Sequence, residues 1–100
     1  MIELNSKQRK FLEKEAHDLS PLVIIGGAGL SDGVIDIVDN SLFHHELIKV
    51  KFNEYKDEKF DLTNEICEKT NATLVRVIGN VAILYRPAEE VEKRRYPQVV

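Results

Sequence analysis

The sequence has almost no cysteine and no long apolar run. Cys67 is the single cysteine of the 100 residues, so the chain cannot form an internal disulfide, which agrees with a reducing compartment. The longest apolar run, from Pro21 to Ile25, has the size of a strand, whereas a membrane helix needs roughly 20 apolar residues. Residues 1–10 contain no apolar stretch typical of a secretory signal. These absences predict a soluble, cytoplasmic protein without a membrane partner.

A net positive charge is also missing. The formal net charge is −3 at pH 7, whereas domains that bind nucleic acids are usually basic. RNA binding would therefore require a local basic patch, because the distribution of charge, and not its sum, decides what a surface attracts. Hydrophobic residues make up 43% of the chain and charged residues 31%, which is typical of a folded domain. A chain of this length forms one domain and leaves no room for a separate catalytic one.

The spacing of apolar residues alternates between the helical and the strand period. It predicts helices over 6–19, 32–44 and 59–70, and strands over 22–25, 47–52, 73–78 and 81–86. The first strand is wholly apolar, which is typical of a strand buried on both faces. Gly79-Asn80 joins the last two strands, and a glycine-led pair predicts a hairpin with a type II′ turn.

The element order is therefore α-β-α-β-α-β-β. Strand-helix-strand units imply parallel pairing, while the final hairpin is antiparallel. We expect an α/β fold, a compact two-layer domain with one mixed four-stranded sheet. Residues 1–87 would form this domain, and the charged extension 88–100 would extend or fray.

A glycine loop, Gly26-Gly27-Ala28-Gly29, lies between the first strand and the second helix. Glycines allow positive φ angles and a close approach of the backbone. The helix that follows offers unpaired N–H groups and the positive end of its dipole. Such a loop can hold a sugar-phosphate backbone, and a plain tight turn explains the same residues. The sequence fits neither a Walker loop nor a dinucleotide-binding fingerprint.

Several basic side chains could provide phosphate contacts. Lys7, Lys10 and Lys14 recur at helical spacing on one face of the first helix. Four more lie in or next to strands and could converge on one surface of the sheet; they are Lys49, Lys51, Arg76 and Arg86. Ordinary solvent-facing residues would give the same pattern.

Metal binding and catalysis are not indicated. The run His44-His45-Glu46 contains metal-binding residue types, but adjacent side chains point in different directions and no further ligand follows at a suitable spacing. Cys67 lies on the apolar face of the third helix, where a buried, inert thiol is expected. No nucleophile, base and orienting group occur together. We therefore expect no enzyme, no cofactor and no bound metal.

The sequence resembles the YhbY/CRM (chloroplast RNA splicing and ribosome maturation) family. The resemblance covers about residues 4–87 and is carried by several motifs in order: SKQR at 6–9, GLSDGVI at 29–35, HHELIKVK at 44–51, VIG at 77–79 and LYRP at 84–87. It implies an α/β fold similar to the C-terminal domain of bacterial translation initiation factor three. Family members commonly carry a basic or polar residue inside the glycine loop, where this chain has Gly27 and Ala28. Binding through this loop would therefore depend on backbone groups.

The resemblance also implies a function. Stand-alone bacterial members are associated with RNA binding and with precursors of the large ribosomal subunit. We therefore expect a monomeric RNA-binding protein without a small-molecule substrate, whose partner is large-subunit ribosomal RNA or a pre-ribosomal particle. The alternative is an adaptor in ribosome assembly that contacts a basic protein through Asp32, Asp36 and Asp39, which share one face of the second helix.

Overall fold

Three helices and four strands alternate along the chain. The computed structural model describes residues 1–100. The elements are α1 (Ser6–Ala16), β1 (Val23–Ile25), α2 (Asp32–His45), β2 (Leu47–Phe52), α3 (Lys59–Thr70), β3 (Thr73–Ile78) and β4 (Val81–Tyr85), with short 3-10 turns at Lys56–Glu58 and Val91–Lys93. The predicted α/β class and element order are confirmed. None of the helices combines the length and the apolar character that crossing a membrane requires.

The four strands form one mixed sheet in the order β1-β2-β4-β3. Strand β1 pairs in parallel with β2, while β4 runs antiparallel to both β2 and β3. At the hairpin between β3 and β4, Gly79 has a φ of 57° and Asn80 has no positive φ. A positive φ at the first central residue alone is the pattern of the predicted type II′ turn.

Helices cover both faces of the sheet, so the domain has three layers where two were expected. On one face, α2 and α3 pack over a core that includes Val50, Phe52 and Ile66. On the other face, α1 packs over Ile83 and Tyr85. The reason is that β2 and β4 are buried along nearly their whole length. Successive residues of a strand point to opposite faces, so a single layer of helices would leave half of these side chains in water.

Strand β1 differs from its prediction. Val23 and Ile25 are buried, but Ile24 between them is 55% exposed. The strand lies at the edge of the sheet, and α1 packs against β2 and β3. Burial on both faces was therefore wrong for this strand.

The C-terminal extension is folded onto the domain, so the prediction that it extends or frays is wrong. Val99 is buried in the same apolar cluster as Leu12 of α1, and its carbonyl accepts a hydrogen bond from Gln8 Nε2 at 2.9 Å. The ring of Tyr96 packs edge-on against the rings of Phe11 and Tyr85. These residues complete the layer that α1 begins.

Glu46 fixes the start of this extension. It follows α2 directly with a φ of 64°, and its side chain is buried. One carboxylate oxygen accepts the N–H of Ala88, and the other accepts the N–H of Arg95 at 2.7 Å. The backbone carbonyl of Glu46 also accepts the N–H of Arg86 at 2.8 Å. A single buried residue therefore holds three points of the chain's last fifteen residues.

We predict that Glu46→Gln loosens the C-terminal extension. The amide has only one acceptor oxygen, so at least one backbone N–H loses its charged partner. The free energy of unfolding should fall by about 1–3 kcal/mol, measured by urea denaturation. Amide exchange at Ala88 and Arg95 should become faster.

The matched control is Glu89→Gln, because Glu89 is exposed and makes no side-chain hydrogen bond or ion pair. It should leave stability and exchange unchanged. Unaltered protection of Ala88 and Arg95 in Glu46→Gln would contradict the role given to this carboxylate.

Candidate nucleic-acid interface

The glycine loop connects β1 to α2 and is closed by one backbone hydrogen bond. The N–H of Gly29 donates to the carbonyl of Gly26 at 2.9 Å, and Gly29 has a φ of 71°. Gly27 and Ala28 at the tip are exposed. After the loop, the Ser31 hydroxyl caps α2 by accepting the N–H of Val34 at 3.2 Å. The loop thus presents its tip to solvent between a strand and a capped helix, as predicted.

Tyr55 holds the loop in this shape. Its hydroxyl donates to the carbonyl of Gly27 at 2.9 Å. Its ring covers Gly29 so closely that a Cβ atom on Gly29 would lie 3.3 Å from the ring. Sequence reasoning missed this contact, because its two partners lie 28 residues apart along the chain. The available signal was a single aromatic residue in an otherwise polar segment.

The Tyr55 side of the loop is acidic. An open cleft of about 770 Å³ lies between Gly27 and the segment 53–58. This segment carries three carboxylates, on Glu54, Asp57 and Glu58, against the one ammonium of Lys56. A phosphate in this cleft would meet net negative charge. The basic side chain of the sheet next to the loop is that of Lys51, which pairs with Ile24 two residues before Gly26.

Most of the predicted basic residues lie on the α1 side of the sheet. Lys7, Lys10 and Lys14 are exposed on the outer face of α1, and Lys51 is exposed on β2. None of these four takes part in an ion pair of the protein. Arg76 of β3 is also exposed and pairs with Glu13 of α1 at 3.2 Å.

Two predicted contact residues serve the protein's own structure. The ammonium of Lys49 donates to the carbonyls of His17 and Leu19, at 3.2 and 3.0 Å, just after α1 ends. Arg86 donates to Asp39 Oδ1 at 2.6 Å and to the carbonyl of Thr70 at 2.7 Å, which ties α2 to the end of α3. The structure therefore brings Lys51 and Arg76 to one surface but not Arg86.

Acidic residues concentrate on the other side of the sheet. Exposed carboxylates of α2 and α3 belong to Asp32, Asp36, Asp39, Asp61, Glu65 and Glu68. The Debye length is about 8 Å at physiological ionic strength, and the two helical layers are separated by the sheet. Salt therefore weakens the influence of the α2 and α3 carboxylates on the α1 side of the sheet. The net charge of −3 does not describe the α1 side.

The remaining reactive groups are the thiol of Cys67 and the histidine pair at the end of α2. Burial raises the pKa of the Cys67 thiol to about 11, so the thiol stays protonated at neutral pH. No three histidine, cysteine, aspartate or glutamate side chains lie close enough to hold a metal ion. His44 and His45 lie in the last turn of α2. Basic residue types are favourable there, because the C-terminal end of a helix carries the negative end of its dipole.

The structure thus defines an α/β domain with an exposed glycine loop and with unpaired lysines on the α1 side of its sheet. The chain belongs to the CRS1/YhbY (CRM) domain family, whose model matches residues 4–86. A protein of Haemophilus influenzae named as an RNA-binding protein is 44% identical, over 92% of this chain and 94% of its own length.

Two further proteins are similar to this chain over nearly its whole length. The Bacillus subtilis protein YqeI, named as a probable RNA-binding protein, is 32% identical over 94% of this chain and 99% of its own length. The solution structure of a hypothetical protein from Staphylococcus aureus has a TM-score of 0.75 and 34% identity, covering 93% of this chain and 98% of that one.

We predict that Gly29 cannot be replaced without loss of stability. Gly29→Ala should lower the free energy of unfolding by about 1–2 kcal/mol, because a side chain disfavours the left-handed backbone, and the added methyl group also presses on Tyr55. Gly27→Ala is the matched control, since a Cβ atom there meets nothing within 4 Å and the φ is not positive. Urea denaturation measures both. Equal stability of the two variants would contradict the geometry described for the loop.

Proposed function

We propose that this protein binds RNA and acts in assembly of the large ribosomal subunit, without chemistry of its own. The observation that carries the proposal is the separation of charge between the two sides of the sheet. Lys7, Lys10, Lys14 and Lys51 are exposed and unpaired on one side. The names of the relatives in Haemophilus and Bacillus support RNA as the partner, and the resemblance to stand-alone bacterial CRM proteins supports a ribosomal precursor.

The glycine loop would hold the RNA backbone through its amides. The N–H groups of Gly27 and Ala28 have no hydrogen-bond partner within the protein, and both residues are exposed. Backbone amides next to the start of a helix attract phosphate, because the helix dipole adds partial positive charge. The absence of a basic side chain in the loop therefore does not prevent phosphate binding.

The phosphate contacts outside the loop would come from the α1 side alone. We assign them to Lys7, Lys10, Lys14, Lys51 and Arg76. Lys49 and Arg86 are left out of this set, because backbone carbonyls and Asp39 occupy their charged groups. Arg76 is kept although it pairs with Glu13, because its side chain is 60% exposed, against 21% for that of Arg86.

A second candidate function is that of an adaptor. Helix α2 exposes Asp32 and Asp36 together with Ile37, which is 53% exposed, and Phe43, which is 75% exposed. Carboxylates beside exposed apolar side chains could bind a basic protein of the assembling particle. Asp39 contributes less than expected, because it is paired with Arg86.

We predict that Lys7→Ala, Lys10→Ala and Lys14→Ala together weaken RNA binding and reduce its salt dependence. Each phosphate neutralised on single-stranded nucleic acid contributes about 0.7 to the slope of log affinity against log salt concentration, so the slope should become shallower by about 2. Titration against fragments of large-subunit ribosomal RNA at several salt concentrations measures this. Asp36→Ala, on the opposite side of the sheet, is the control and should change the slope little.

The two candidate functions predict opposite results when association with ribosomal particles is measured for the same variants. If the lysine variant keeps its RNA affinity and Asp36→Ala abolishes association with ribosomal particles, the adaptor function is correct and the RNA surface is wrongly assigned.

We also predict that Gly27→Asp weakens RNA binding while the protein stays folded. The new carboxylate would lie where a phosphate approaches the loop amides, and a Cβ atom at this position meets no neighbour. Gly27→Ala separates the effect of charge from that of size and should bind normally. Circular dichroism checks the fold of both variants. If the aspartate variant binds as well as the alanine variant, the RNA backbone does not pass over this loop.

A further inference from the structure

A row of four side chains crosses the end of the sheet on the α1 side. Ile24 of β1 pairs with Lys51 of β2, Lys51 pairs with Val81 of β4, and Val81 pairs with Ile78 of β3. Directly paired residues of neighbouring strands point to the same face. Because strands lie about 4.8 Å apart, the row spans about 14 Å. We call these four residues the open row.

Three residues of the open row, Ile24, Lys51 and Ile78, are exposed, and Val81 is half-buried. Helix α1 and the C-terminal extension cover the rows before it, where Leu47, Ile83 and Tyr85 are buried. In the open row, Ile24 is 55% exposed and Ile78 is 49% exposed. Two large aliphatic side chains thus lie in water at either end of a row whose middle carries the ammonium of Lys51.

The glycine loop begins at the same end of the sheet. Gly26 follows Ile24 by two residues, and the carbonyl of Ile25 between them accepts the N–H of Asn53, just past the end of β2. The exposed guanidinium of Arg76 lies two residues before Ile78 on β3. The open row therefore has anion-binding groups at its centre, beside it and at the loop.

From this arrangement we propose that the open row binds the bases of an unpaired RNA segment whose backbone is held by the glycine loop and Lys51. The inference deepens the proposed RNA-binding function and rests on it. A base has an apolar face that is accessible only when the strand is unpaired, since a duplex stacks that face inside. At about 3.4 Å per stacked nucleotide, the row accommodates at most about four bases.

Charge favours RNA over an apolar protein segment as the occupant. A wholly apolar partner would bury the Lys51 ammonium without a counter-charge, which costs free energy. A nucleotide supplies both an apolar base and a phosphate. The contacts are aliphatic and carry no base-edge recognition, so the preference for unpaired RNA should be largely independent of sequence.

Ile24→Ser with Ile78→Ser tests the inference. The probes are an RNA of about 12 nucleotides without self-complementarity and the same strand in a duplex. The wild type should bind the unpaired RNA more tightly. The double variant should lose about tenfold in affinity for it, with an unchanged salt slope, because no charge is removed. Ile37→Ser is the matched control, since Ile37 has a similar exposure on α2, on the other side of the sheet.

A second measurement needs no variant. In the wild type, the methyl resonances of Ile24 and Ile78 should shift when the unpaired RNA is added, while that of Ile37 should not.

Three outcomes distinguish a failure of this inference from a failure of the proposed RNA-binding function. If the lysine variant of α1 loses affinity while the isoleucine variant and the isoleucine methyl resonances are unaffected, RNA binding stands and the open row is not its base-binding site. If the isoleucine variant keeps its RNA affinity but no longer associates with ribosomal particles, the row docks a protein and the inference is overturned. If the wild type binds neither RNA, both the inference and the proposed function are wrong.

Discussion

The burial of the two central strands on both faces is the constraint on which the rest of the structure depends. Strands β2 and β4 carry apolar residues that point both ways, such as Leu47 beside Ile48 and Leu84 beside Tyr85. At about 25 cal/mol for each Å² of apolar surface removed from water, leaving either face open would be costly for a domain of this size. Helices α2 and α3 cover one face. The other face has only α1, whose 11 residues extend about 16 Å, so the C-terminal extension is needed to finish the cover and the last row of the sheet stays open.

Several basic side chains hold the protein's own backbone in place. The pairing of β3 with β4 shifts in register between Leu74 and Arg76. At this shift, Arg9 donates hydrogen bonds to the carbonyls of Leu74 (2.6 Å) and Val75. Arg95 donates to the carbonyl of His44 at 3.0 Å, which fastens the extension to the end of α2. Arginine suits this task because its planar group donates several hydrogen bonds in a fixed geometry. The lysines of α1 have no such partner, so the unpaired basic side chains on this side of the sheet are mainly lysines.

The sequence predicted what depends on local spacing and missed what depends on distant contacts. Strand and helix periods and the turn at Gly79 follow from neighbouring residues. The structure contains every predicted helix and strand, although α1 ends at Ala16 and not at residue 19. The side of the sheet taken by α1 was not predictable in this way, because it depends on which face of β3 and β4 lacks cover. For the candidate site, the exposure of the loop followed from its position between a strand and a cap. The roles of Tyr55 and Glu46 did not, because the partners of each lie far along the chain and both have a positive φ, which residue type alone does not reveal.

The acidic total charge is compatible with an RNA surface because of where the acids lie. Glu54, Asp57 and Glu58 line a cleft with Gly27 of the loop, while Lys51 pairs with Ile24 in the strand that leads into the loop. In the proposed function, a polyanion would be repelled by the carboxylates of α2 and α3 and attracted by the lysines on the α1 side, so the field of the protein would orient the encounter before any contact forms. A uniformly basic domain would bind RNA in many orientations. In the proposed function, the carboxylates would restrict binding to the face on which the loop amides, Lys51 and the uncovered end of the sheet can be reached together.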